Sequence, residues 1–194
     1  MSEQRLVLAS SSPFRRMLLE RLGIPFDVVA PGVDETRRPG ERVLEYVRRL
    51  ALEKAHSVAR ERPNSLVIGA DQAAVHRGAI VGKPSGHDEA VKQLLDASGR
   101  KITLYTGLAL VNTDTGHVQS DVVPYAVYFR TIDRAAAERY LEKEQPYGCA
   151  GSLRAEGLGI ALLRKFEGDD PNALIGLPLI RLVEMLQVEG VAVV

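Results

Sequence analysis

The first strand-to-helix turn of the chain brings hydroxyl and guanidinium groups to a helix N-terminus. A short apolar strand, Leu6–Ala9, leads into three serines, and Ser12 followed by Pro13 predicts a helix that begins at Pro13. Because a helix N-terminus presents free N–H groups, the serines with Arg15 and Arg16 form a candidate phosphate site. A well-capped surface helix with two solvated arginines explains the same residues, since the glycine-rich phosphate-loop patterns are absent.

A lysine and an aspartate stand in apolar surroundings farther along the chain. Lys54 interrupts the apolar stripe of a helix predicted over residues 41–60, where an ammonium must reach solvent, pair with an anion or enter a cavity. Asp71 follows Leu66–Ala70, an apolar run typical of a strand buried on both faces. Ligands of open α/β sheets bind beyond the carboxyl ends of strands, so Asp71 is a candidate site residue. A turn-capping aspartate is the alternative.

Other charged residues lie in predicted turns. Asp34 and Glu35 follow a strand predicted over residues 26–30, and they form either a solvated loop or half of a metal site. Lys83 lies in a tight Gly-Lys-Pro turn. The four histidines show no metal-ligand spacing, and the single cysteine, Cys149, excludes an internal disulfide and a thiolate cluster.

The elements that must position these residues alternate between strands and helices, which predicts an α/β fold. Helices are predicted from Pro13 to Leu22, over residues 41–60, 87–97 and 134–144, and around Leu182, Met185 and Leu186. Strands are predicted over residues 6–9, 26–30, 66–70, 102–111, 118–130 and 160–163, with residues 73–75 and 79–81 as a hairpin. The segment 146–159 is a glycine-rich loop that contains Arg154 and Glu156.

The composition is that of an ordinary globular protein of the cytoplasm. The 194 residues include 45% hydrophobic and 26% charged residues, and 25 basic residues balance 25 acidic ones. This balance argues against binding to a nucleic acid polymer, which usually requires a basic surface. The N-terminal apolar run is too short for a signal peptide and no stretch reaches transmembrane length, so the sequence predicts a cytoplasmic protein without membrane contact.

Six short motifs occur in an order that is specific to one family, although none is specific alone. In chain order they read SSSPFRR, VDE, LEKA, GADQ, GKP and CAGSLRAEG. With this set the chain resembles the Maf family of nucleotide pyrophosphatases over nearly its whole length, from Leu6 to about Leu186. It looks most like the branch that hydrolyses 7-methyl-GTP.

The resemblance implies a fold, a cofactor and a partner. The expected fold is α/β, an elongated mixed twisted sheet with flanking helices, shared with inosine-triphosphate pyrophosphatases, with a cleft between two lobes. It would form a single domain over residues 1–194. The expected cofactor is a divalent cation, Mg²⁺ or Mn²⁺, and the expected partner is a small nucleoside triphosphate. Members of the family often dimerise, so the resemblance allows a homodimer, but nothing in the sequence specifies an interface.

The family's functional residues fall on polar positions of this chain. The resemblance implies phosphate binding by Ser10, Arg15, Lys54 and Lys83, metal binding by Glu35 and Asp71, and catalysis by Asp71. Hydrolysis between the α- and β-phosphates needs cations around the triphosphate, a metal, and a carboxylate that activates water. These residue types meet that need without a covalent nucleophile.

Three positions depart from the wider family pattern and agree with the 7-methyl-GTP branch. Phe14 replaces the first arginine, Gln72 replaces a common threonine, and Glu156 replaces a common glutamine of the branch that acts on dTTP and UTP. The resemblance thus implies that these three residues set substrate specificity. For Phe14, stacking on the base and shaping of the pocket wall both remain open.

Two classes of function follow from these residues. The first is a nucleoside triphosphate pyrophosphatase that converts 7-methyl-GTP to 7-methyl-GMP and pyrophosphate and clears modified nucleotides, with a dTTP/UTP pyrophosphatase as an alternative. The second is a regulator of cell division or septum formation that binds a nucleotide without significant turnover. The paired carboxylates and lysines favour turnover, because a sensor needs no carboxylate at the reacting phosphorus.

Glu156 generates the first prediction. A carboxylate can accept hydrogen bonds from guanine N1–H and the exocyclic amine, and it attracts the positive charge of an N7-methylated base. We expect Glu156→Gln to lower kcat/KM for 7-methyl-GTP more than for UTP, whereas Glu142→Gln should change neither. Pyrophosphate release from both nucleotides measures this preference. Equal losses on both substrates would contradict a role of Glu156 in recognition.

Overall fold

The computed structural model describes residues 4–194, and these residues form two compact units. The first unit contains the described residues up to Gln72, with Tyr105–Val123 and Asp170–Val194. The second contains Ala73–Leu104 and Pro124–Asp169. No helix among the described residues is long and apolar enough to cross a membrane.

Seven strands form a mixed sheet. They are β1 (Arg5–Ala9), β2 (Phe26–Val29), β3 (Ser65–His76), β4 (Ala79–Val81), β5 (Lys101–Asn112), β6 (Val118–Phe129) and β7 (Leu163–Glu167). Their order is β2-β1-β3-β5-β6-β7, and β4 pairs with the far end of β3. Strand β1 is parallel to both β2 and β3, whereas β3–β4 and β6–β7 are antiparallel pairs.

Six α-helices connect and flank these strands. They are α1 (Pro13–Glu20), α2 (Val43–Ala59), α3 (His87–Ala97), α4 (Arg134–Glu144), α5 (Asn172–Ile175) and α6 (Leu179–Val188). The side chains of Ser12 and Asp133 accept hydrogen bonds from backbone N–H groups at the starts of α1 and α4, as their positions in the sequence predict. The mixed sheet with flanking helices confirms the predicted α/β class.

In the first unit strands β1 and β3 are buried on both faces. Alternate residues of these strands pack into different hydrophobic clusters. One cluster joins even-numbered strand residues such as Leu8 and Ile68 to α1 and α6. The other joins odd-numbered residues such as Val7 and Val67 to Ala51, Ala55 and Val58 of α2. The continuous apolar runs predicted from the sequence are therefore strands covered by helices on both sides.

Two glycines allow α2 to lie unusually close to the sheet. A Cβ atom on Gly69 of β3 would collide with the carbonyl oxygen of Ala51 and would lie 2.7 Å from the amide nitrogen of Ala55. A Cβ atom on Gly107 of β5 would collide with the carbonyl group of Val47. Backbone therefore packs on backbone here, and this contact sets the distance between α2 and the strand residues that follow Gly69.

Two predicted boundaries were wrong. The sequence predicts that a strand ends at Ala70, but β3 continues through Asp71 and Gln72 to His76. The polar residues Asp71 and Gln72 lie just past the end of the pairing with β1, whose last residue is opposite Gly69. The strand itself continues beyond this point, and the change from apolar to polar residues therefore did not mark its end. The strand predicted over residues 160–163 is wrong in all but its last residue, because residues 160–162 belong to the 3-10 helix Leu158–Leu162 and the last strand is Leu163–Glu167.

The close contact at Gly69 can be tested by adding one methyl group to this residue. We expect Gly69→Ala to lower the free energy of unfolding by about 3 kcal/mol, because overpacked backbone cannot relax cheaply. Gly32→Ala is the matched control, since a Cβ atom there meets nothing within 4 Å. Urea denaturation of both variants measures the difference, and equal stability of the two would contradict the close approach of α2.

Candidate active site

Three adjacent parallel strands deliver the candidate residues to one edge of the sheet. Ala9 at the end of β1 is in register with Val29 of β2 and with Gly69 of β3. Ser10 therefore leaves β1 beside the part of β3 that leads to Asp71, and the loop after β2 begins at the same edge. This is the edge at which parallel sheets bind ligands.

Lys54 and Asp71 form an ion pair within the first unit. The Lys54 ammonium donates to Asp71 Oδ1 at 2.7 Å, and it lies 2.6 Å from Glu35 Oε1. The side chains of Lys54 and Asp71 are only 6% and 10% exposed, whereas that of Glu35 is 61% exposed. Of the alternatives that the sequence allows for Lys54, pairing with an anion is confirmed.

Burial dominates the ionisation of Asp71. Desolvation raises the pKa of the Asp71 carboxyl above its usual value, although the charges of Lys54 and Arg15 act in the opposite direction. Burial also lowers the pKa of the Arg15 guanidinium, against the attraction of Asp71 and Glu35. Two cations and two carboxylates thus interact in a poorly solvated region, and a carboxyl with a raised pKa is suited to accept a proton.

Ser10 and Arg15 present a hydroxyl and a guanidinium at the start of α1. The Ser10 hydroxyl is buried and accepts a hydrogen bond from the Ser12 N–H at 3.1 Å, so its own hydrogen remains available for a ligand oxygen. Arg15 Nε donates to the Gly176 carbonyl at 2.8 Å. That bond uses one of five guanidinium hydrogens and orients the rest.

Gln72 lies on the opposite face of β3 from Asp71, because neighbouring strand residues point to opposite faces. Its Nε2 donates to the carbonyl oxygens of Ala173 at 2.6 Å and Leu174 at 3.2 Å, and to Thr106 Oγ1 at 3.0 Å. The two carbonyls identify this atom as the amide nitrogen. With the amide hydrogens directed at the chain itself, Gln72 offers a ligand only its Oε1 acceptor.

The sequence analysis missed Thr106 and the segment of residues 170–178. Thr106 is fully buried and donates to the Ala173 carbonyl at 2.8 Å. Asp170 is 2% exposed and accepts hydrogen bonds from the backbone N–H groups of Asn172 at 2.9 Å and Ile180 at 2.7 Å. The segment thereby presents the carbonyl groups that orient Arg15 and Gln72. A polar residue within the apolar β5 was the one local signal for Thr106.

Phe14, Lys83 and Glu156 are the remaining predicted site residues. Phe14 is half-buried on α1 in the first unit, and Lys83 is exposed in the loop after β4 in the second. Glu156, also in the second unit, has a 24% exposed side chain that lies 3.6 Å from Arg154 Nε. Glu144 of α4 supports this loop, because it accepts hydrogen bonds from Arg154 Nη1 at 3.1 Å and from the Leu158 N–H at 2.6 Å.

Glu35 and Asp71 offer carboxylate oxygens, the donor type that Mg²⁺ prefers. Both carboxylates approach a single cation, the Lys54 ammonium, from different elements. Within residues 4–194 no group of three His, Cys, Asp or Glu residues could hold a metal. One or two carboxylates completed by substrate phosphates and water is the usual environment of Mg²⁺. The donor set is therefore suited to a metal–nucleotide complex.

The fold and the site together define an α/β protein with a buried lysine–aspartate pair at the strand ends. The family described as "Maf-like protein" matches residues 5–189, and the chain belongs to this family. It is 55% identical over 188 residues to the 7-methyl-GTP pyrophosphatase of Pseudomonas savastanoi pv. phaseolicola, covering 97% of this chain and 98% of the relative.

Further relatives carry the same name. The 7-methyl-GTP pyrophosphatase of Pseudomonas aeruginosa PAO1 is 52% identical over 188 residues, covering 97% of this chain and 98% of the relative. Among solved structures, a nucleoside-triphosphatase (dITP/XTP pyrophosphatase) from Mycobacterium abscessus is partially similar. It has a TM-score of 0.43 and 18% sequence identity, and it covers 66% of this chain and 75% of that chain.

The Lys54–Asp71 pair generates a stability prediction. Lys54→Met keeps the side-chain volume but leaves the buried Asp71 carboxylate without its nearest cation, so the free energy of unfolding should fall by about 3 kcal/mol at neutral pH. Adding Asp71→Asn should restore most of the loss, because the uncompensated charge is then removed. Urea denaturation measures the cycle, with the exposed Lys143→Met as control. No recovery in the double variant would contradict the pairing as the source of the loss.

Proposed function

We propose that this protein hydrolyses 7-methyl-GTP to 7-methyl-GMP and pyrophosphate. The observation that carries the proposal is the buried Asp71 carboxyl, 2.7 Å from the Lys54 ammonium, in a region that Arg15 and Glu35 also reach electrostatically. The relatives that share more than half of their residues with this chain bear the name of that activity, and they match it almost end to end. The chemistry of the site and the names of the relatives agree.

The triphosphate would bind to the cations of the site. Arg15 and Lys54 of the first unit would offset the negative charge that collects on the leaving pyrophosphate, and the Ser10 hydroxyl would donate to a phosphate oxygen. The phosphate-binding role of Lys83, in the second unit, stays a prediction. Preformed hydrogen bonds reduce the cost of this binding. Ser10 and Arg15 are already held by the Ser12 N–H and the Gly176 carbonyl, so little reorganisation is needed.

Asp71 would act as the general base. Its raised pKa brings the carboxylate closer to the proton affinity that accepting a proton from water requires, and the Lys54 contact holds it in one orientation. A divalent metal held by Glu35 and Asp71 would supply charge stabilisation and polarise the phosphates. When phosphates bind, the Lys54 ammonium can share its hydrogens between Asp71 and a phosphate oxygen, because an ammonium has three donors.

Specificity for the methylated base would come from Phe14, Gln72 and Glu156. Since Gln72 directs its amide hydrogens at the 170–178 segment, only a donor on the nucleotide, such as a hydroxyl or an N–H group, can bind its Oε1. Glu156 would accept hydrogen bonds from guanine and attract the charged N7-methylated ring. Phe14 would contact the base or shape the pocket wall.

A dTTP/UTP pyrophosphatase and a nucleotide-binding regulator remain the competing functions. Thymine and uracil lack the exocyclic amine that Glu156 would bind, so its carboxylate would accept fewer hydrogen bonds from these bases. A regulator would not need the Asp71–Lys54 pair. We further propose that the enzyme is cytoplasmic. We also propose that it acts on a free nucleotide rather than on a nucleic acid polymer, because the chain carries 25 basic and 25 acidic residues.

The proposal is tested by removing the base. Asp71→Asn is nearly isosteric but cannot accept a proton, so turnover of 7-methyl-GTP should fall by about 10²–10⁴-fold while nucleotide binding is retained. Asp27→Asn, on the exposed side of β2, is the matched control. Pyrophosphate release is measured over 7-methyl-GTP, GTP, dTTP and UTP with Mg²⁺ or Mn²⁺. More than about half of the wild-type rate in Asp71→Asn would exclude Asp71 as base.

A further inference from the structure

The loop that carries Glu35 has no regular secondary structure, and yet it places a carboxylate 2.6 Å from a buried ammonium. Residues 30–42 form neither helix nor strand between β2 and α2. The Glu35 side chain itself is mostly exposed, so packing around that side chain does not hold it in place. Contacts between the backbone of the loop and α2 also fix its position.

Arg49 of α2 makes four hydrogen bonds, and three of them fasten this loop. Its Nε and Nη2 donate to the two carboxylate oxygens of Glu41 at 2.6 and 2.9 Å, and Nη2 also donates to the Thr36 carbonyl at 3.2 Å. Its Nη1 donates to Glu53 Oε2 at 2.9 Å. The side chains of Arg49 and Glu41 are only 13% and 9% exposed, so this is a two-pronged ion pair withdrawn from solvent.

Tyr46, one turn before Arg49 on α2, holds Glu35 directly. Its hydroxyl donates to the Glu35 carbonyl at 3.0 Å, and the Arg49 guanidinium lies 5.7 Å from the centre of its ring. On the other side of Glu35, Asp34 Oδ1 accepts from the Thr36 N–H at 2.9 Å and closes a local turn. The backbone of Glu35 and Thr36 is therefore attached to α2 at two consecutive carbonyl groups.

We propose that Arg49 and Tyr46 are positioning residues, which hold the Glu35 carboxylate where it meets Lys54 and Asp71. The inference rests on the proposed function, in which Glu35 acts on the metal–nucleotide complex. Arg49 does not touch the reacting groups. It acts through the carbonyl of Thr36 and the carboxylate of Glu41, and Tyr46 acts through the carbonyl of Glu35.

The charges around Arg49 explain why it can hold the loop without forming an ion pair with Glu35. Arg49 pairs with Glu41 and Glu53, and Glu53 also pairs with Arg38, so this group of two arginines and two glutamates carries no net charge. Hydrogen bonds from Arg49 lower the pKa of Glu41 to about 2, so the pair stays ionised throughout the neutral range. One helix thus carries Lys54 for contact with Glu35 and Arg49 for attachment of the loop.

A simple role in stability is the competing explanation, and a double-mutant cycle separates the two. If Arg49 acts through Glu35, the effect of changing Arg49 on kcat/KM must disappear once Glu35 has lost its charge. If Arg49 only stabilises the protein, the effects of the two changes multiply. Arg49→Lys is the informative variant, because it keeps the charge and loses the planar fork that makes four bonds.

We expect Arg49→Lys to lower kcat/KM by about tenfold in the wild-type background, as for residues that orient a metal ligand, and less than about twofold in the Glu35→Gln background. Tyr46→Phe removes only the hydroxyl and should show the same pattern with a smaller loss. It keeps the test decisive if Arg49→Lys does not fold. Arg42→Lys is the matched control, because Arg42 is 78% exposed in its ion pair with Glu45 and should be neutral in both backgrounds.

A measurement without substrate separates failure of this inference from failure of the proposed function. Amide hydrogen exchange of residues 34–38 should be faster in Arg49→Lys than in wild type and Arg42→Lys. If wild type releases no pyrophosphate, the proposed function fails and the exchange result alone decides whether Arg49 fixes the loop. Unchanged exchange, or losses of kcat/KM that multiply in the Glu35→Gln background, would overturn the inference.

Discussion

The packing of α2 directly on the backbone of the sheet is the constraint on which the candidate site depends. Gly69 has no side chain to separate β3 from Ala51 and Ala55 of α2, and Asp71 lies on the same face two residues later. The Lys54 ammonium can therefore reach the carboxylate at 2.7 Å while most of both side chains stays buried. A larger residue in place of the glycine would move the helix outward and lengthen that distance.

The resulting group of charges is balanced. Lys54 and Arg15 contribute two positive charges, and Asp71 and Glu35 contribute two negative ones. Burying an ion pair costs desolvation free energy that its attraction often fails to recover, so such a group is retained for chemistry more readily than for stability. Here the cost appears as the raised pKa of Asp71, the property that the proposed proton transfer would use.

Local sequence patterns were sufficient for many of the elements and for the polar residues of the first unit. Ser12 and Pro13 predict the start of α1 because a helix cap is a contact between residues a few positions apart. The helical period places Lys54 within an apolar stripe, but only the structure shows that the lysine is buried and paired. The extent of β3 was not predictable in this way, because Asp71 and Gln72 interrupt the apolar run. The residue types of a strand also do not reveal which residues pack against each of its faces.

What the sequence determined by itself is therefore the set of chemical groups and the elements that carry them. The tertiary structure decided how those groups are oriented, through contacts between distant segments. Gln72 meets the Ala173 carbonyl 101 residues later, and Arg15 meets the Gly176 carbonyl 161 residues later. Backbone carbonyls are present at every position and carry no residue-specific signal. Only the folded chain brings the hydrogen-bond partners together that give a role to Thr106, to the 170–178 segment and to Arg49.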